Sequence, residues 1–529
     1  MNYYYKIKPV LNKLKELNVY DSLFVVRAYM LANVGDISNR INIAGVSHPE
    51  KHSVEVWYAD FMIANIIKYC ENLPCEKSLR NISSRKAICD EIQKLHEEVS
   101  RKLIDQEVFI WLNSYFFNQV KITFQENVLL LLYRYYYLYN SASIRTYAEQ
   151  MMNIPLDLYF KMVFYVYVAF ADKDRFFVGK DYFMLNKAAK DDSNLIALEY
   201  VLTQVSKTLP ELKCLCKDYC SYEEERIFGY YNDAPHVKYP LIKEEYGYYC
   251  TIPNYIPKVL LDGLYYKLNI PSISEPKVKK EFSNNMENYL GMIFEHFLKT
   301  GEVKYVKEIT YDIGKQKNKR TSDWILWDNN DICFLDCKAK RISVKGKQAV
   351  NVDDETIDRV VRTQPFSSAR KRKEIEEAIP EGLTKDLIIL GIDLGKIFVN
   401  YDDYRTGSIS TFPYMEGKQF HALIVTLEES FSNNPGYKDR IIKVANSYRA
   451  FKNKQEDPID INTVNIMSVW SIEKCACMMA NEGIAFFLEN FMNNNMIREE
   501  WIKDKYLLDK SIEELINPFL EELEPYYRK

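Results

Sequence analysis

The sequence predicts a multidomain α+β protein: a largely helical N-terminal region, then a mixed central sheet flanked by helices. Three observations lead there. The chain has 529 residues, beyond the size at which one hydrophobic core usually stops growing. Over residues 1 to about 220, apolar positions recur every three to four residues and strand-like alternation is scarce. From about 281, short runs of period two begin to alternate with helical stretches.

Composition narrows the function classes. A formal net charge of -4 excludes a chain that is a polycation throughout, so nucleic-acid binding would need a local basic surface. The 41 Tyr and 27 Phe gather in stretches such as "LLYRYYYLYN" and "YFKMVFYVYVAF" and point to dense helical packing, because Tyr buries a ring while its hydroxyl keeps a polar partner. The first twenty residues lack the pattern of an export signal. The longest apolar runs, Val128–Tyr133 and Met162–Ala171, are far shorter than the roughly 20 residues a bilayer span needs. A cytoplasmic protein without membrane contact is therefore expected, and its 11 Cys are expected to be reduced. Cys214, Cys216 and Cys220 have the wrong spacing for paired zinc ligands and read as buried helix thiols.

The elements follow in order. Residues 1–275 form the helical accessory or recognition region, subdividing near 225, where "GYYNDAPHVKYPLIKEEYGYYC" brings loops and short strands. "NIPSISEPKVKK" is the boundary. In 276–440, "FSNNMENYLGMIFEHFLKTG" reads as a helix capped by Ser283 or Asn284. "VKYVKEITYDI", "TSDWILWD" and "DICFLDCKAKR" read as strands, separated by the turns "GKQKNKR" and "NN". "DETIDRVVRTQPFSSARKRKEIEEAI" reads as one or two helices, "DLIILGIDL" as a buried strand and "FHALIVTLEE" as another. Residues 441–529 add a strand and helices that complete or flank the core.

Charged groups at the ends of two otherwise apolar strands need compensation. Side chains alternate along a strand, so Asp336 and Lys338 share a face while Cys337 takes the other. If "TSDWILWD" and "DICFLDCK" pair as a hairpin across "NN", Asp323 begins one strand where Asp336 ends the other. Two carboxylates and an ammonium at one place suit a hard divalent cation such as Mg²⁺, which takes oxygen ligands and keeps several waters.

The string Asp323, twelve residues, Asp336-Cys337-Lys338 resembles the signature of the PD-(D/E)XK nuclease superfamily over about residues 281–440. The preceding "LGMIFEHFLKTG", with Gly291, Glu295 and Gly301, is similar to the helix that supplies an extra acid in that family. Ser322 stands where the family has Pro, and Asp336 where Glu is commoner. The resemblance implies a restriction-endonuclease-like α/β core and metal-dependent hydrolysis of phosphodiesters, with Mg²⁺ or Mn²⁺ as cofactor. Asp323, Asp336, the carbonyl of Cys337 and Glu295 would serve the metal, and Lys338 would position the attacking water and help deprotonate it. DNA ranks ahead of RNA as substrate, in a restriction or antiviral defence setting, with a homodimer or a partner defence protein as company. A non-catalytic nucleic-acid-binding or scaffold subunit with the same fold is the alternative.

Phosphates would be gripped by basic residues near this core. Lys315, Lys317, Lys319 and Arg320 stand before the Asp323 strand, Lys340 follows the Lys338 strand, and Arg370 and Arg372 lie in "SARKRK". Arg362 and Gln364 occupy the helix where relatives often carry a site-lining polar residue. Two other strings carry no chemistry. His96-Glu97 lacks the second His of a zinc-protease helix, and "GIDLGK" (Gly391 to Lys396) falls one residue short of a phosphate-binding loop.

Overall fold

The computed structural model describes residues 4–34, 45–52, 56–72, 77–94, 128–172, 175–185, 191–219, 234–269, 276–299, 301–314, 316–339, 341, 352–363, 366, 377–427, 435–453, 457–493 and 508–527. It is a mixed α+β protein that divides into two compact units, residues 1–279 with 516–529, and residues 280–515. The division falls four residues after the sequence boundary. Lysines 277, 279 and 280 of the expected linker are already helical.

The first unit is mainly helical, and its tyrosine richness has a local cause. Tyr135, Tyr139 and Tyr159 are buried rings on the helices Val128–Tyr139 and Leu156–Ala171. Their hydroxyls donate to Asp262 at 3.0 Å, to the Leu261 carbonyl at 3.2 Å and to the Leu260 carbonyl at 2.9 Å. All three acceptors lie on one turn of the helix Tyr255–Asn269, so phenols pin three helices together. This unit also holds a four-stranded sheet of Phe177–Gly179, Gly247–Cys250, Leu241–Lys243 and Ser206–Thr208, in that order. Two of its strands fall within the stretch that the periodicity assigns mostly to helices. Among the described cysteines all are free thiols; Cys216 and Cys250 are buried but Cys214 is exposed, and Cys220 lies outside the described residues. Among the described residues no single helix is long and apolar enough to cross a membrane.

Helix α1, Pro276–Leu298, runs into the second unit and starts eight residues earlier than a cap at Ser283 implies. Met286, Tyr289, Leu290, Ile293, Phe294, Phe297 and Leu298 are buried along it, the stripe that a packed amphipathic helix requires. Five strands then form the sheet: β1 (Lys304–Lys307), β4 (Trp324–Trp327), β5 (Asp331–Lys338), β6 (Gln419–Thr426) and β7 (Val464–Ser468). Their spatial order is β7-β6-β5-β4-β1. The β1–β4 and β4–β5 pairs are antiparallel, and β5–β6 and β6–β7 are parallel.

Between β1 and β4 lies a separate hairpin of β2 (Thr310–Ile313) and β3 (Gln316–Arg320). "VKYVKEITYDI" is therefore two strands, and most of the expected turn "GKQKNKR" is a strand. The bend itself uses Gly314 at φ +56°, and Asn318 adopts φ +56° within β3 beside the register shift, where the short amide side chain tolerates the left-handed region.

"DLIILGIDL" is not a strand but part of helix α3, Leu383–Arg405, which follows helix α2, Asp354–Thr363. Helix α3 lies against helix α4, Pro435–Asn453. A Cβ at Gly391 would come within 2.5 Å of Val444 Cβ, and one at Gly395 within 2.9 Å of Tyr448 Cβ, so these glycines let two backbones approach. Helices α5 (Val469–Glu482) and α6 (Ile484–Asn493) follow β7.

The turn between β4 and β5 is held from several sides. Asp328 Oδ1 accepts from the N–H groups of Asn330 and Asp331, both at 2.9 Å. Its Oδ2 accepts from the Ile484 N–H at 2.8 Å, at the start of α6. Lys418 donates to the carbonyls of Asp328 and Asn329.

Candidate metal centre

Pairing of β4 with β5 sets Trp324 opposite Leu335, which places Asp323 opposite Asp336 at the open end of the hairpin. The structure brings the two together. The Asp323 N–H donates to Asp336 Oδ1 at 3.3 Å, and the Cys337 N–H donates to Asp323 Oδ2 at 2.7 Å. Lys338 Nζ donates to Asp336 Oδ2 at 3.1 Å. Asp336 is 7% exposed. Phe334, two residues earlier on the same face, packs on Tyr401 and Tyr404 of α3, so Asp336 and Lys338 emerge where that apolar contact ends.

Electrostatics at this spot are unbalanced. Burial, and then the facing charge of Asp336, push the Asp323 carboxyl far above the usual carboxylate range, with Glu287 adding to the effect and Lys338 opposing it. Glu287 is itself pushed up, chiefly by burial, within reach of the charges of Lys307, Glu308, Lys338 and Asp336. Desolvation works against the Lys338 ammonium, but Asp336, Asp393 and Asp323 outweigh it and hold the amine firmly protonated, which fits a donor and not the proton acceptor for water that the resemblance implies. Burial and the neighbouring acids keep the Cys337 thiol protonated, so this residue serves the centre through its backbone.

The acid of α1 whose charge acts on Asp323 is Glu287, while Glu295 is turned to other partners. Glu295 lies eight residues further on, about 12 Å along the axis at 1.5 Å per residue. It is exposed, accepts from the Tyr305 hydroxyl at 2.6 Å and pairs with Lys299 at 3.0 Å. Those two bonds lower its pKa, Tyr305 first. The level of the centre along α1 is set by Trp324. Its indole N–H donates to the Glu287 carbonyl at 3.2 Å, and its ring fills the place where a Cβ on Gly291 would stand, 2.6 Å from Trp324 Cζ2. Gly291 is thus the mark in the sequence that could have located the acid, one turn before it.

Asp393 of α3, buried at 5%, is a second participant that sequence reasoning missed, inside the string "GIDLGK". It accepts from Lys396 Nζ at 2.6 Å while its charge acts on Lys338.

The proposed phosphate contacts fare unevenly. Lys317 pairs with Asp312 at 2.8 Å, Arg320 with Glu308 at 3.3 Å, and Lys319 with the buried Asp403. Lys319 is thereby a structural cation of the β2–β3 hairpin, whereas Lys317 and Arg320 remain exposed. Arg362 is exposed near the end of α2. Lys315, Lys340, Gln364, Arg370 and Arg372 lie outside the described residues.

Among the described residues no three His, Cys, Asp or Glu side chains are gathered closely enough to hold a metal by themselves. The donor set at this spot is two facing carboxylates, which suits a cation that keeps most of its shell as water. A cation there would take the place of the proton that burial and the facing Asp336 hold on Asp323. No protein-family model, curated protein or solved structure matches this chain.

Proposed function

We propose that the second unit is a metal-dependent nuclease of the PD-(D/E)XK type, hydrolysing phosphodiester bonds in nucleic acid, with DNA ahead of RNA. The observation that carries this reading is the meeting of Asp323, Asp336 and Lys338 at the open end of one hairpin, with more buried acid than base. Asp323 and Asp336 would hold Mg²⁺ or Mn²⁺, with the Cys337 carbonyl and Glu287 beside them. A bound ion of this kind supplies a water of lowered pKa and offsets charge on phosphate oxygens. The Lys338 ammonium, kept charged by three carboxylates, offers a fixed donor to a phosphate oxygen and holds Asp336 in place. The basic side chains Lys317, Arg320 and Arg362 are exposed and available to a backbone. A restriction or defence role, with a second copy or a partner protein, belongs to the same proposal.

One observation favours a second reading, a scaffold or nucleic-acid-binding subunit without hydrolysis. Three of the four oxygens of Asp323 and Asp336 already accept bonds from within the chain. The two readings separate on purified protein incubated with Mg²⁺ or Mn²⁺ and linear, circular and single-stranded DNA and RNA. A nuclease cleaves at least one substrate, and Asp336→Ala and Lys338→Ala abolish that cleavage. A scaffold cleaves none and shows no Mn²⁺-dependent thermal shift.

A further inference from the structure

Asp323 does not belong to a strand; it is the last residue of a connector, Thr321 to Asp323, between β3 and β4. Its aim depends on how that connector is held. On one side the main chain of β1's end grips it. The Thr321 N–H donates to the Ile309 carbonyl at 3.0 Å, the Ile309 N–H donates to Thr321 Oγ1 at 2.9 Å, and the Glu308 N–H donates to the Asp323 carbonyl at 2.8 Å. The Ser322 hydroxyl is buried and finds no partner among the described residues, so it anchors nothing.

The other side is covered by one side chain of α3. Asn400, 8% exposed, faces the Arg320 carbonyl and the Ser322 N–H. Those two groups dictate the orientation of its amide. The nitrogen donates to Arg320 at 3.3 Å and the oxygen accepts from Ser322 at 3.1 Å. Asn400 thus makes with this connector the pair of bonds that a neighbouring strand would make. Seven residues earlier on the same face of α3 stands Asp393, about 10 Å away along the axis, acting on Lys338. One helix, packed closely on α4 at Gly391 and Gly395, thus holds the connector at one level and places a charge that acts on Lys338 at another.

We infer that Asn400 is a positioning residue: by clamping the main chain at Arg320 and Ser322 it sets where Asp323 meets Asp336. For its consequence in metal binding this rests on the nuclease reading above, and for its structural consequence on the geometry alone.

The test uses the full chain and Mn²⁺ alone as probe. In Asn400→Ala the Mn²⁺ affinity, measured by direct titration, falls roughly 10-fold or more, the scale of losing a group that orients a metal ligand. Asn400→Asp keeps the acceptor for Ser322 but loses the donor, and falls between Asn400→Ala and wild type. Asn446→Ala is the structural control: Asn446 Oδ1 likewise accepts a main-chain bond, from Ile459 at 2.9 Å, and the variant keeps wild-type affinity. Hydrogen exchange at the Ser322 and Cys337 amides accelerates in Asn400→Ala. Unchanged exchange at both amides in a folded Asn400→Ala overturns the inference. So does an unchanged Mn²⁺ affinity in that variant while Asp336→Ala loses binding. If Asn400→Ala does not fold, the near-isosteric Asn400→Leu, which also loses both bonds, decides by the same exchange measurement. Should wild type bind no Mn²⁺ and cleave nothing, the nuclease reading fails, and amide exchange still decides the role of Asn400.

Discussion

Strand β5 carries a buried aspartate at each end, 5% exposed at Asp331 and 7% at Asp336, and the two ends are neutralised differently. At the turn end Asp331 meets His421 of β6, 2.8 Å from Oδ1 to Nε2, one acid with one base. At the open end Asp336 meets Asp323 and the field of Glu287, with the Lys338 ammonium shared among them. A closed pair is what a fold needs. Burial together with a facing like charge raises a carboxyl rather than stabilising it, and this is the feature on which the proposed metal site rests.

That contrast can be broken most directly by mutating the two ends. Asp336→Ala should lower cleavage at least ~100-fold, the effect of losing one fixed electrostatic group. Asp331→Ala should leave cleavage by the folded protein unchanged and cost about 1–3 kcal/mol of stability, since it strands a buried His421. Equal losses of activity at both ends would erase the distinction. Glu287→Gln against Glu295→Gln sharpens it along α1. The first should weaken Mn²⁺ affinity roughly 10-fold, and the second should leave it unchanged, because Glu295 is engaged at the surface with Tyr305 and Lys299.

The last effect concerns pH and is read on stability alone. In the metal-free folded chain the Asp323 carboxyl is pushed up to about 8, from an ordinary 3.8. Between these values the folded state holds a proton that the unfolded chain has released. Stability is therefore highest at the acid side of this window and falls as pH rises through it, by at most about 1.4 kcal/mol per pH unit. Urea unfolding of chelated protein at about pH 5 and about pH 8 should show this fall, and Asp323→Asn should flatten it.

How much of this was legible in the sequence differs by element for physical reasons. Asp323, Asp336 and Lys338 come together because period-two alternation and a short hairpin turn fix faces and ends with no other information. Glu295 was misplaced because a helical wheel gives rotation and not level. Eight residues also turn the helix by about 80°, so Glu287 falls at the edge of the buried stripe between Phe294 and Leu298 while Glu295 lies beyond it, exposed, and the docking of Trp324 at Gly291 fixes the level. "DLIILGIDL" was ambiguous between buried strand and buried helix, as short apolar runs are. The flanking "LTK" and "GKIFVNYDDYR", which extend it to 23 residues, resolve it as a helix. With that helix misread, Asp393 and Asn400 had no reason to be near the centre. The β3 strand reads as a turn in the sequence because "QKNKR" is polar on both faces, and its pairing is set by Tyr311 and Lys319 meeting the buried Asp403.

The stapled turn at Asp328–Asp331 has a consequence at the far end of its hairpin. A slide of β4 by a single residue would send Asp323 to the opposite face of the sheet. With Asp328 tied to the start of α6 and Lys418 gripping the two carbonyls, such a slide would have to tear out a helix terminus. Fidelity of the two-carboxylate meeting is thus guaranteed from the end that takes no part in it.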